Sequence, residues 1–332
     1  MTVRSHILLT GGTGFFGKAL LRYWQEQEAA GRPMAHVTLL SRNPQHFAAQ
    51  YPALVKRSWL TLAQGNICDA ASLPRSSAFT HVMHAAADST AGPQLTPQQR
   101  FDQIVDGTRN VLDLSVACGA HRFLLTSSGG VYGTPPTGMD HIVEDCHTMP
   151  DTLNAGNAYS VAKRMAEHLC ALYTHTYGLQ TTVARCFSFV GPDLPLDVHF
   201  AVGNFIRDAL WADAIAVNGD GSPLRSYMDQ ADLAHWLLAI LQHGRSGQAY
   251  NVGSPEAICI ADLACLVRDT AAPAKQVHIL GKHAQASPRN LYVPSVSKAY
   301  TELGLCITTP LREAIRRTVA FHQETPELGR AS

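Results

Sequence analysis

Thr10-Gly11-Gly12-Thr13-Gly14-Phe15-Phe16-Gly17 is the stretch that decides the fold. It follows a short apolar run, His6-Ile7-Leu8-Leu9, which reads as a buried strand. It leads into Lys18-Ala19-Leu20-Leu21-Arg22-Tyr23-Trp24, spaced as a helix with one apolar face. Strand, glycine turn and helix together present bare backbone N–H groups and a helix N-terminus, a cradle suited to a pyrophosphate. The glycines stand at Gly11, Gly14 and Gly17, a G-x-x-G-x-x-G spacing rather than G-x-G-x-x-G. On this reading Gly11 permits the tight turn, Gly14 the close approach of phosphates and Gly17 the close packing of helix on strand. Glycine-rich turns also serve packing alone, so the cradle needs support from the rest of the chain.

Working outward, apolar runs and helical patterns alternate. Val37–Leu40, Leu60–Gly65, His81–Ala87, Arg122–Ser128 and Thr181–Arg185 read as strands. Pro97–Cys118 and Asn157–Tyr177 read as long helices between them. Regular alternation predicts an α/β fold, a Rossmann-type doubly wound parallel sheet with helices on both faces. Past Arg185 proline and glycine punctuation thickens, as in Gly219-Asp220-Gly221-Ser222-Pro223. Helical stretches near 202–211, 230–242, 261–269 and 311–323 are separated by short extended pieces. This texture predicts a smaller, irregular C-terminal substrate lobe. Tyr250-Asn251-Val252-Gly253 is expected to return to the main sheet as a strand. The expected division is a dinucleotide-binding domain over 1–185, rejoined by 226–254, and a substrate lobe over 186–225 and 255–325.

Composition excludes several classes. The chain has 332 residues, 46% hydrophobic and 16% charged, and Lys+Arg equals Asp+Glu at 26 each. No basic stripe argues for nucleic acid, and no basic amphipathic helix argues for a membrane surface. No signal peptide or membrane span is visible, so a soluble cytoplasmic protein is expected. Eight cysteines are scattered without C-x-x-C spacing and are expected to be buried free thiols; sixteen dispersed histidines suggest no metal site.

Tyr159 and Lys163 stand four apart, a spacing that places both side chains on one face of a helix. A nearby ammonium favours a phenolate, which lowers the tyrosine pKa toward the range of a general base. Such a pair on a solvated helix is ordinary when it stands alone. Here the preceding strand ends in Thr126-Ser127-Ser128, hydroxyls at the carboxyl edge where ligands bind in doubly wound sheets.

Thr10–Gly17, His84-Ala85-Ala86, Ser127-Ser128-Gly129-Gly130-Val131-Tyr132-Gly133 and Tyr159 with Lys163 together resemble the extended short-chain dehydrogenase/reductases. More narrowly, they are similar to the NAD(P)-dependent nucleotide-sugar epimerase/dehydratase branch. The resemblance runs from about Ser5 to about Phe321, including Gly219–Tyr227, Asp232-Leu233-Ala234 and Tyr250–Gly253 in the second lobe. It implies that Tyr159 exchanges a proton with a sugar hydroxyl. Lys163 lowers the pKa of Tyr159 and holds the nicotinamide ribose, and Ser128 hydrogen-bonds the reacting oxygen. It places Gly11, Gly14, Phe15, Phe16, Gly17, Ala85, Ala86, Tyr159 and Lys163 around the cofactor, with Asn66 and Ile67 near the adenine. Asn204, Arg225 and Arg289 fall at positions contacting the diphosphate of a nucleotide-diphosphate sugar, where arginine binds bidentately. It also implies a homodimer built on the two long helices.

Members that prefer NAD carry an acid at the end of the second strand. Here Leu40-Ser41-Arg42-Asn43 has none. Arg42 can pair with a 2′-phosphate and Ser41 can donate to it, so NADP is favoured over NAD. The branch's 4,6-dehydratases have Asp-Glu where this chain has Gly129 and Gly130, which disfavours dehydration. Ile104 and Ser188 stand where asparagines are common in 4-epimerases. The expected activity is an epimerase working through a transient 4-keto sugar. A 4-ketoreductase using the same residues once is the alternative, and a non-catalytic NAD(P)-sensing protein is the reading from another class.

Overall fold

The computed structural model describes residues 5–75, 78–87, 94–198, 200–282 and 290–325. The elements in chain order begin with β1 (His6–Thr10), α1 (Phe15–Ala29), β2 (His36–Ser41), α2 (Pro44–Gln50), α3 (Pro52–Val55) and β3 (Leu60–Gln64). Next come β4 (His81–His84), α4 (Pro97–Ala117), β5 (Arg122–Ser128), α5 (Ala158–Tyr177) and β6 (Gln180–Cys186). Then follow β7 (Phe189–Val190), α6 (Ala201–Trp211), β8 (Ala214–Val217), β9 (Leu224–Arg225), β10 (Met228–Asp229), α7 (Gln230–His243) and β11 (Gln248–Val252). The chain closes with β12 (Ile258–Cys259), α8 (Ile260–Ala271), β13 (Gln276–Ile279), β14 (Leu291–Tyr292), α9 (Ser297–Leu303) and α10 (Leu311–Glu324).

The main sheet has seven strands in the order β11-β6-β5-β4-β1-β2-β3. From β3 to β6 every neighbour pairs in parallel. A parallel sheet covered on both faces needs strands that are apolar throughout rather than alternating. Ile7, Leu8 and Leu9 in β1, and Phe123, Leu124 and Leu125 in β5, are accordingly buried. One face carries α4 and α5: Val111, Leu112, Ala162, Ala166 and Leu169 join Leu8, Val82 and Phe123 in a single apolar cluster. The expected Rossmann-type sheet is therefore present, and the reversal of strand order falls between β1 and β4.

The chain forms two compact units. The first comprises residues 1–133, 149–186 and 234–250; the second comprises 134–148, 187–233 and 251–332. In the second, β9 lies between β12 and β14, and β8 pairs in parallel with β13. Buried polar side chains replace regular ladders there. Asp232 accepts the backbone N–H groups of Thr308 and Thr309 at 3.1 and 3.0 Å. Gln230 and Asp193 are joined by two hydrogen bonds of 3.0 Å. Lys275 Nζ donates to the carbonyls of Ala209 and Ala212 at 2.7 and 2.6 Å, satisfying the end of α6.

None of the eight cysteines forms a disulfide, but only Cys146, Cys170 and Cys186 are buried. Cys68 and Cys306 are exposed, and Cys118 is half-buried. The expectation of buried thiols fails because Cys68 follows β3 in a surface turn and Cys306 lies in the loop before α10. Among the described residues no helix is long and apolar enough to cross a membrane, and no group of three or more His, Cys, Asp or Glu side chains could hold a metal ion.

Candidate active site

The site is built at the carboxyl edge of the main sheet, within the first unit. β1 ends at Thr10, and Gly11 turns the chain with φ +72°. A Cβ there would lie 2.5 Å from the Ala85 carbonyl carbon and oxygen and 2.6 Å from Ala86 N. Gly11 is thus required twice, by its left-handed backbone and by its approach to the end of β4. A Cβ on Gly17 would stand 2.1 to 2.2 Å from the Gly12 backbone, so this glycine lets α1 press onto the turn itself. Gly12, which the sequence reading passed over, has the same constraint against β2: its Cβ would fall 2.4 Å from Leu39 Cγ. Gly14 differs. Its φ of −83° suits any residue, and a Cβ would meet only Gly11 O at 3.5 Å. Packing does not demand glycine there; a bare backbone at the N-cap of α1 is what an approaching anion needs. Phe15 and Phe16 are the first two residues of α1, which has no side-chain cap.

Ala85 and Ala86 follow β4 directly and are tied to β1. Ala85 N–H donates to Thr10 O at 3.2 Å, and Ala86 N–H to Thr10 Oγ1 at 3.3 Å. Below them His84 is buried, with Nδ1 2.7 Å from Thr10 Oγ1 and Nε2 3.2 Å from Thr108 Oγ1. Burial, then the Lys163 charge, pushes its pKa down to about 3. A neutral His84 therefore pins β1, β4 and α4 beneath the glycine turn. The unfolded chain carries a histidine near its ordinary 6.5 and takes the proton first. Stability from this source is complete above that value and is lost as pH falls toward about 3. By about pH 5 the loss reaches about 2 kcal/mol. Urea unfolding of the parent and of His84→Gln, each near neutrality and near pH 5, checks this. The parent should lose about 2 kcal/mol more than the variant; equal losses would clear His84 of the role.

Ser41 ends β2, and its Oγ accepts the Asn43 N–H at 3.2 Å. Arg42 is exposed. Beyond β3, Asn66 holds its own turn, with Oδ1 accepting Cys68 N–H at 3.1 Å. Ile67 is half-buried and packs against α4, where a Cβ on Gly107 would lie 2.6 Å from Ile67 Cδ1. These four residues stand at or just past the ends of the neighbouring strands β2 and β3, on the same carboxyl edge as Gly11.

Ser128 ends β5, and its Oγ accepts the Gly130 N–H at 3.1 Å. Its hydroxyl also hydrogen-bonds the phenol of Tyr159. A Cβ on Gly130 would fall 2.7 Å from Ser160 Oγ and 3.4 Å from Ser128 Oγ, so a longer side chain would have to displace Ser160. Lys163 is buried, and its ammonium donates to Thr126 O at 2.7 Å while lying 5.9 Å from the centroid of the Tyr159 ring. Burial brings its pKa down to about 8, against the pull of Cys186 and Glu167.

The expected lowering of the Tyr159 pKa is not what the structure gives. Burial raises it, opposed by the Ser128 hydrogen bond and by the charge of Arg100. Arg100 is the residue the sequence reading missed: its guanidinium lies 4.4 Å from the centroid of the Tyr159 ring. Its signal is hidden because it sits on α4, and only the packing of α4 on α5 brings it to the tyrosine. Behind the site Glu167 accepts from Ser127 Oγ at 2.6 Å and from Arg185 Nη2 at 2.8 Å. Arg185 also donates to Tyr132 Oη at 3.0 Å. This network fixes the strand end that carries Ser128.

Asn204 and Arg225 lie in the second unit. Asn204 Oδ1, on α6, accepts from Arg207 Nη1 at 3.2 Å. Arg225 Nη1 donates to Leu224 O and Asn290 O at 2.8 and 3.0 Å, and the guanidinium lies 5.9 Å from the Tyr292 ring centroid. Arg289 lies outside the described residues. The first unit thus brings together Gly11, Gly14, Phe15, Phe16, Gly17, Ala85, Ala86, Ser128, Tyr159 and Lys163.

A parallel sheet in this order, with a glycine turn after its first strand and Ser128, Tyr159 and Lys163 at its carboxyl edge, defines an extended short-chain dehydrogenase/reductase. Residues 7–253 match the model of the NAD dependent epimerase/dehydratase family, and the chain belongs to that family of enzymes. It is 27% identical over 320 residues to UDP-glucuronic acid decarboxylase 1 of Danio rerio, covering 96% of this chain and 72% of the relative. UDP-glucose 4-epimerase of Thermotoga maritima, solved with UDP-glucose, has the same fold: TM-score 0.81 at 20% identity, covering 97% of this chain and 99% of that one. So does dTDP-glucose 4,6-dehydratase of Bacillus anthracis, solved with NAD, with TM-score 0.81 at 18% identity over 97% and 98% of the two chains.

Proposed function

We propose that the protein is an NADP-dependent nucleotide-sugar epimerase that oxidises a sugar hydroxyl, releases the keto sugar within the site and reduces it on its other face. The observation that carries this reading is the hydrogen bond between Ser128 and Tyr159 at the sheet edge that holds the glycine turn. The glycine turn fits a dinucleotide, since Gly14 leaves backbone open where a phosphate would approach. When bound, the nicotinamide supplies the carbon that takes and returns hydride. Tyr159 takes the hydroxyl proton, and Ser128 hydrogen-bonds the same oxygen as it becomes a carbonyl. Lys163 keeps a positive charge on that face and is anchored by Thr126 O. On the return step Tyr159 gives the proton back.

Dehydration needs further acid and base groups beside the reacting carbons. At Gly129 and Gly130 the chain has none, and Glu167 is held by Arg185 and Ser127. A 4-ketoreductase is the second reading, favoured by the end of β2. There Ser41 and Arg42 replace an acid, a pairing that suits the 2′-phosphate of NADP. The Danio rerio relative is named for UDP-glucuronic acid, so that sugar belongs among the candidates. Its oxidation at C4 would leave a β-keto acid prone to lose carbon dioxide.

The test is a panel of UDP- and dTDP-sugars, UDP-glucuronic acid included, incubated with the purified protein and NADP(H). An epimerase equilibrates two sugars with no net change in nicotinamide absorbance. Stoichiometric NADPH consumption would replace that reading by the ketoreductase, and carbon dioxide release by the decarboxylase. For the cofactor, Arg42→Ala should weaken NADPH binding about 10-fold or more, the worth of one charge-assisted contact. NADH binding should stay within about 2-fold. Equal losses for both cofactors, measured by fluorescence titration, would remove the NADP preference.

A further inference from the structure

We propose that Arg100 is a positioning residue for Tyr159, holding the ring on its face and favouring the phenolate, a task that the four-residue spacing assigns to Lys163 alone. The proposal rests on the reading of Tyr159 as the proton-transfer residue.

Three observations converge on Arg100. Its guanidinium lies 4.4 Å from the centre of the Tyr159 ring, whereas the Lys163 ammonium is 5.9 Å away and is bonded to Thr126 O. Its Nε is buried and has no hydrogen-bond partner among the described residues, so the ring face is the contact described for that group. Its place on the helix is also unfavourable on local grounds. α4 begins with a capping box between Thr96 and Gln99 and has Pro97 in its first turn, which puts Arg100 at the positive end of the helix. A cation there is opposed by the helix dipole unless something else holds it. The π face of Tyr159 does so weakly while the phenol is neutral, and strongly once the ring carries a phenolate charge. The difference between those two states is what shifts the ionisation.

Among the described residues, the groups that face Tyr159 come from four elements. β5 gives the Ser128 hydroxyl and β6 the Cys186 thiol. α5 gives Lys163, with Glu167 one turn further on, and α4 gives Arg100. The Cys186 thiol is itself pushed up to about 12 by burial, so it stays neutral across the working range. Among the described residues, Lys163 and Arg100 are the two cations at the Tyr159 ring. Both lie over the ring, and Arg100 is the nearer, at 4.4 Å from its centre against 5.9 Å for Lys163.

The experiment follows the Tyr159 ionisation directly, without a sugar substrate. The protein is labelled with tyrosine carrying carbon-13 at Cζ, and the Tyr159 signal is assigned by its loss in Tyr159→Phe. The alkaline titration is then compared among the parent, Arg100→Met, Arg100→Gln and Arg100→Lys, each checked for unchanged NADPH binding. The Tyr159 midpoint should rise by about one pH unit in Arg100→Met and Arg100→Gln, the scale of one nearby charge. Arg100→Lys should recover most of that rise. The acid limb of the turnover profile should move by the same amount once a responding sugar is known. A Tyr159 midpoint unmoved by both neutral variants would overturn the proposal, as would a lysine variant that behaves like methionine. Neither result bears on whether Tyr159 transfers the proton, which Tyr159→Phe tests separately.

Discussion

Tyr159→Phe should lower kcat on the responding nucleotide sugar by about 10²- to 10⁴-fold, the usual worth of a positioned proton-transfer group. That is about 3 to 5 kcal/mol of transition-state stabilisation. Phenylalanine keeps the ring against Arg100 and the half-buried packing of α5, and it removes only the hydroxyl that meets Ser128. NADPH binding should therefore stay within about 2-fold, because the glycine turn and the Arg42 end of β2 are untouched. The loss should fall on kcat more than on KM, since the missing group acts on the proton in flight rather than on the bound ground state. Burial raises the Tyr159 pKa. The parent enzyme should therefore gain activity as pH rises above neutrality, and the residual activity of the variant should lose that limb. Steady-state rates over a pH series test both points. Activity within tenfold of the parent would move the chemistry to another residue, or revive the reading of a protein that binds NAD(P) without catalysis.

How far the site was legible differs residue by residue. β5 was legible to the residue because an apolar run ends in three hydroxyls, and a buried parallel strand needs the first while a sheet edge tolerates the second. α4 and α5 were legible within a residue at their ends because each carries a long apolar stripe. The short pieces escaped. α2, α3 and α9 have seven, four and seven residues, too few for a helical period to separate from chance. The two-residue strands β7, β9, β10, β12 and β14 carry no alternation at all.

The candidate site splits in the same way. Tyr159 and Lys163 share a helix, so their spacing was visible in one stretch of chain. Arg100 reaches Tyr159 from 59 positions upstream through helix packing, and no local pattern encodes that. The sign of the Tyr159 shift was also hidden. A lysine four residues on suggested a lowered pKa, but desolvation depends on everything packed around the ring, and it outweighs the charges. The glycine spacing sorted itself only in three dimensions, where Gly11 and Gly17 answer to steric necessity and Gly14 does not.

That distinction makes the glycines separable by experiment. Gly11→Ala puts a methyl 2.5 Å from the Ala85 carbonyl and forces an L-residue into φ +72°. The backbone strain alone costs about 1 kcal/mol or more. The clash is with main chain at the joint of β1 and β4, which cannot yield without opening the sheet. A total loss of about 3 kcal/mol or more is expected. Gly17→Ala should do the same through its 2.1 Å approach to the Gly12 backbone, by lifting α1 off the turn. Gly14→Ala is the informative variant. Its backbone is extended and its methyl would meet only Gly11 O at 3.5 Å. Stability should change by less than about 1 kcal/mol, the balance between a poorer N-cap and a stiffer unfolded chain. The methyl nonetheless projects where the cradle reading puts a phosphate at the N-terminus of α1, and it should weaken NADPH binding by about 10-fold or more. Thermal unfolding and NADPH fluorescence titration on the three variants separate the two causes. If Gly14→Ala binds NADPH as tightly as the parent while Gly11→Ala and Gly17→Ala unfold, the turn is a packing device and the phosphates lie elsewhere.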